Sequence, residues 1–130
     1  MSLTVSPELL ADARIGAIRD DDFVDCIRTS LPYAYDVVAR LADQLNTAEL
    51  PYADNEVPPP DEAARGQLLR AMSSNAIRTA LEQHFRVTLA FQNCHRVAVF
   101  APNSADSAEY RDFVSIESQV LNQRPEFVNC

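Results

Sequence analysis

Cys94 and His95, with His84 and Cys130 elsewhere in the chain, are the residues whose types could combine a thiol with an imidazole. A thiolate beside an imidazolium is the activated form, so this group could make a metal site or a Cys–His nucleophile. Adjacent residues on a tight turn project in different directions, however, and His84 falls at the end of a helical pattern. The ordinary reading is a turn cysteine followed by a histidine that tolerates left-handed backbone. Glu117 sits at the edge of an apolar stripe, one turn from Phe113 and Leu121, where a half-buried carboxylate could serve as a general acid or base. Turning to solvent, or pairing with Arg111 or Arg124, is its ordinary alternative. Asp20, Asp21, Asp22 and Asp25 could act as paired carboxylates or hold a divalent ion. They lack alternating ligand spacing and a glycine turn, and acids at a helix start account for them. Tyr33, Tyr35, Tyr52 and Tyr110 could line a pocket, although tyrosines near a core usually just pack. Glu117, His84, Cys94 and His95 therefore stand as weak catalytic candidates, with no metal and no cofactor expected.

A second constellation lies in residues 61–101. Helical spacing there breaks at Ser73-Ser74-Asn75, which prefer caps to helix interiors, and two helices (61–72 and 74–85) are favoured over one long rod. A strict alternation follows between Arg86 and Ala101. Helix, short turn, helix and hairpin resembles the element order of the winged-helix DNA-binding module. The resemblance covers about 40 residues, rests on no specific motif, and implies a role for Ser73, Ser74, Asn75, Arg78 and Thr79 at the start of a recognition helix, with Arg86 or Arg96 on phosphate.

Composition limits these readings. All eleven basic residues are Arg; without Lys there is no Schiff base, no pyridoxal phosphate anchor and no Walker lysine. Gly16 and Gly66 are the only glycines, which excludes a glycine-rich phosphate loop or a dinucleotide fingerprint. The net charge is −8, with residues 62–101 alone carrying more Arg than acid. An acidic chain with a mildly basic middle is disfavoured as a non-specific binder of nucleic acid or anionic membrane. Three widely spaced cysteines without a CxxC pair form no disulfide framework and fit a reducing compartment. The first residues lack a basic segment followed by an apolar one, and no apolar run is long enough for a membrane span. A cytoplasmic location is expected.

The 130 residues read as one domain able to bury a core. An acidic helical part occupies 1–46, a Pro-rich loop 47–60, a helix–helix–hairpin unit 61–101 and a C-terminal helix 106–123. Ser6-Pro7-Glu8 starts the first helix, over 7–18, the three aspartates a second, and Pro32 a third over 31–46. The loop holds four of the eight prolines, is long for a structureless connection, and is expected to wrap a surface or meet a partner. In the hairpin, a three-residue loop Asn93-Cys94-His95 pairs Phe91 with Val97 and Leu89 with Val99, which puts every apolar side chain on one face, as a half-buried sheet requires. Leu3-Thr4-Val5 could supply a third strand, or the hairpin edge could pair across a dimer. Tyr110, Phe113, Val114, Val120 and Leu121 form the stripe of the last helix, and Phe127 and Val128 are expected to dock.

The expected fold is α+β: five to six helices packed on one face of a small antiparallel hairpin sheet. The leading functional expectation is a non-catalytic regulatory or adaptor domain acting through protein contact or self-association, possible as a homodimer. DNA binding through 61–101 and a small enzyme with a pocket between helices and hairpin are the alternatives.

Overall fold

A computed structural model of the chain describes residues 2–122. Ser6 caps α1 (Pro7–Arg14) by accepting from the Leu9 amide, and Pro7 takes the first helical position. The helix stops well short of residue 18 because Gly16, at φ 68°, takes the left-handed conformation that ends helices. In α2 (Asp20–Ser30) the three aspartates occupy the first turn, facing the positive end of the helix dipole, while Val24, Cys26 and Ile27 are buried. Its neighbour α3 (Pro32–Ala48) has no side-chain cap of its own. Gln67, from α4 (Glu62–Ser73), supplies one: its Oε1 accepts from the Tyr33 amide at 2.7 Å, tying the two helices together. Ser74 alone separates α4 from α5 (Asn75–Phe85), and its hydroxyl accepts from the Ile77 amide as the cap of α5. The break expected at 73–75 is present.

The sheet has three antiparallel strands in the order β1 (Tyr52–Asp54), β3 (Arg96–Phe100), β2 (Thr88–Gln92). The β2–β3 register pairs Phe91 with Val97 and Leu89 with Val99, across the three-residue loop anticipated from the sequence. The left-handed residue of that loop is Asn93, not His95. The third strand comes from within the Pro-rich segment, not from Leu3–Val5. Thr4 is instead held by Ser30, whose Oγ accepts its amide at 2.8 Å.

Both faces of the sheet are covered, which corrects the expectation of a single buried face. Leu89, Val97, Val99 and Ala53 join α3, α4 and α5 in the main core, where Ile27, Leu31, Val38, Leu68 and Leu81 are wholly inaccessible. The opposite face carries Ala90, Ala98 and Phe100, covered by Phe113 and partly by Tyr52 and Tyr110. The C-terminal helical stretch is two short helices, α6 (Ala108–Phe113) and α7 (Ile116–Leu121), because Ser115 caps a new start by accepting from the Ser118 amide. Of its expected stripe only Phe113 is buried and Tyr110 half-buried; Val114, Val120 and Leu121 face solvent. Phe127 and Val128 lie outside the described residues. No helix among the described residues is long and apolar enough to cross a membrane.

Candidate functional site

The expected catalytic residues do not converge. Glu117 is exposed on α7. His84 is exposed at the end of α5, 3.5 Å from the Tyr35 hydroxyl and edge-on to Phe85. Cys94 and His95 are buried in the hairpin loop. Cys94 is disulfide-bonded and so offers no thiol for a Cys–His pair, contrary to the reading of the cysteines as unpaired, whereas Cys26 is a free, buried thiol. No group of three or more metal-ligating side chains comes together among the described residues.

The residues of the winged-helix reading are likewise scattered. Asn75 and Thr79 are exposed on α5, with Ser73 and Ser74 at its approach, and Arg86 stands left-handed (φ 55°) at its end. Arg78 turns back: one guanidinium nitrogen donates to the Met72 carbonyl at 3.2 Å and another to Asn75 Oδ1 at 2.8 Å. Arg96 lies across the sheet from α5, where its Nε donates to Asp54 Oδ2 at 3.0 Å and its guanidinium sits 5.5 Å from the centre of the Phe113 ring. The hairpin loop is clasped, its Asn93 bonded to Gln119 and Asn122 and its His95 carbonyl accepting from Asn55. Asp20 and Asp21 border the same hollow as Gln83, His84 and Arg86, which sets acid beside the end of the would-be recognition helix.

A different place gathers features that a binding surface needs. Glu49, left-handed at φ 50°, ends α3 and turns the chain back along the sheet as β1. Asn55 fixes the far end of that strand. Its amide donates to the Val97 carbonyl (3.3 Å), its Oδ1 accepts from the Val97 amide (2.8 Å) and its Nδ2 donates to the His95 carbonyl (2.7 Å). Because Asn55 is bonded to Val97, alternation along an antiparallel ladder makes Ala53 and Val99 the next bonded pair. The backbone N–H and C=O groups of Tyr52 and Asp54 therefore point away from β3, to the outer edge. The other edge differs: the Leu89 amide, which points outward from β2, is taken by the Glu82 carboxylate at 2.9 Å.

Beside the open β1 edge runs a groove of about 630 Å³, floored by Val37 and Leu41 of α3 and bordered by Arg40, Gln44 and Asp54. Leu50 and Val57, 45% and 76% exposed, flank the strand at its two ends. Near the start of α3, burial pushes the Tyr33 hydroxyl above its usual range; Arg40 partly offsets this and Asp61 adds to it. Apolar floor, polar rim and unsatisfied edge backbone suit recognition of extended chain better than bond chemistry. Sequence reading missed this strand because Tyr52-Ala53-Asp54 is too short to show a period and lies among prolines; only the loop's length hinted at it.

A family model labelled KH_NucS_shadow and described as "NucS shadow ORF" matches residues 1–130. The description assigns no activity. No curated protein and no solved structure matches the chain. With the match running from the first residue to the last, the chain belongs to the NucS shadow ORF family.

Proposed function

We propose that this domain is a non-catalytic regulatory or adaptor module that works by protein contact, accepting an extended strand at the outer edge of β1. The observation that carries the reading is the pair of outward-facing backbone groups at Tyr52 and Asp54 beside an apolar-floored groove. Strand addition gives affinity through main-chain hydrogen bonds and specificity through alternate side chains. A guest strand here would complete the ladder and send every second side chain toward Val37 and Leu41. Displayed libraries of short extended peptides, selected on the immobilised full chain, test this. Selected peptides are expected to slow amide exchange at Tyr52 and Asp54. Binders that leave those amides unchanged, or a failure to select any binder from a protein that also stays monomeric, would refute it.

Nucleic-acid contact is the second reading. It is supported by the helix–helix–hairpin order of residues 61–101. A KH module clamps the nucleic-acid backbone with a GXXG loop, and this chain, whose two glycines are Gly16 and Gly66, has none. Arg78 and Arg96 are engaged within the protein. On the protein-contact reading, mobility-shift assays at low salt should show no retardation of duplex DNA or single-stranded RNA. A shift that weakens steeply with salt and is lost in Arg78→Ala would favour the second reading instead.

A further inference from the structure

We infer that the strand accepted at β1 is the β1 of a second copy of this chain, paired antiparallel about Ala53. The inference rests on the reading of β1 as an acceptor edge and names the occupant.

When two copies pair about Ala53, Tyr52 of one stands opposite Asp54 of the other, and these are the two residues whose backbone groups point outward. Each such pair exchanges both its N–H···O=C bonds, and the twofold axis doubles the set. Pro51 does not obstruct this, since its position in the alternation faces β3 and not the edge. Charge agrees with the same register. Within the ladder Asp54 stands opposite Tyr52, and just beyond it Leu50 comes nearest to Glu56 of the other copy, so no acid of the strand faces an acid across the axis. The exposed Leu50 and Val57 then come within a residue of each other at both ends, a self-complementary pattern of the kind a twofold contact requires. Pairing one residue-pair further along would set Asp54 against Asp54. At the β2 edge, Glu82 already occupies the Leu89 amide, so that edge is partly capped, whereas no side chain among the described residues caps Tyr52 or Asp54 on β1.

A three-residue ladder with a groove is small for an interface, so the dimer is weak and its population depends on concentration. Two chains of net charge −8 repel, and salt screens that repulsion, so association tightens as salt is added.

Sedimentation of the full chain over roughly a hundredfold range of concentration tests the inference. The expected result is a reversible monomer–dimer equilibrium, strengthened by salt, with amide exchange at Tyr52 and Asp54 slowing as dimer accumulates. Leu50→Glu places like charges opposite each other twice and should weaken association roughly tenfold, whereas Leu50→Lys, opposite Glu56, should preserve or strengthen it. Thermal melts of both variants at low concentration check that each still folds. Equal weakening by the two substitutions would overturn the register. A strictly monomeric chain whose Tyr52 and Asp54 amides are protected by selected peptides would overturn self-pairing while leaving the acceptor edge intact. A monomer that accepts no peptide would remove both.

Discussion

Truncating Phe100 to alanine should cost about 3–5 kcal/mol of folding stability, the range for emptying a fully buried aromatic site. Phe100 is wholly inaccessible at the centre of the second cluster, its ring 5.5 Å from that of Tyr52, 5.2 Å from Tyr110 and 6.0 Å from Phe113. Every element on that face leans on it: Tyr52 brings β1, while Tyr110 and Phe113 bring α6. The lost area and the edge-to-face contacts add to the cost of the void, and Ala90 and Ala98 are too small to collapse into it. For a domain whose total stability is about 5–15 kcal/mol, much of the margin goes. Urea melts of the wild type and of Phe100→Ala and Phe100→Leu measure it; leucine should recover roughly half, since it refills part of the volume. A loss below about 1 kcal/mol for the alanine variant would show that this face is not a true second core.

The next largest effect is expected at Arg96. Its guanidinium grips Asp54 through two nitrogens, approaches Gln92 Oε1 at 3.5 Å and covers the Phe113 ring. Arg96→Leu keeps some packing but strands the Asp54 carboxylate, whose side chain is only 12% exposed. Removing one partner of a buried pair costs about 3–5 kcal/mol. Because the Arg96 side chain is 27% exposed and water can reach the pair, about 2 kcal/mol is the expected loss here. Arg96→Lys should cost nearly as much, because an ammonium cannot reproduce the forked contact. The double variant Arg96→Leu with Asp54→Leu should be more stable than the sum of its single changes by at least about 1 kcal/mol, since no unpaired charge is left behind. Strict additivity in chemical denaturation would mean that the two side chains are not coupled.

Helices with strong local signals were legible in the sequence. Ser6-Pro7, the three aspartates and Pro32 start helices where they should, and Ser74 breaks the 61–85 stretch as its capping chemistry requires. The hairpin register followed from alternation alone. What escaped was set by partners distant in the chain. Ala90, Ala98 and Gln92 occupied the polar slots of the alternation, yet all three are buried. Alanine carries no clear sign of face, and Gln92 is satisfied by bonds to the Phe113 carbonyl (2.8 Å) and Ser118 Oγ (3.1 Å) that no local pattern announces. The last helical stretch kept its period across Ser115, so its break was hidden, and the stripe was assigned to a core that only Phe113 reaches. The candidate groove was less legible still, because β1 exists only by virtue of β3.

The way Asn55 staples β1 to the central strand bears on the order in which the molecule assembles. Strands β2 and β3 are joined by a three-residue loop and can zip together from local contacts, whereas Tyr52 must wait for Phe100, on the far side of two helices in the sequence. Closing that long circuit carries a larger entropic toll, so β1 arrives late on the folding route and leaves early under stress. The segment that presents the acceptor edge is thus the part of the sheet that opens first. Pulse-labelling during refolding should find the Val99 amide, bonded to Ala53, protected after that of Ala98, bonded to Ala90.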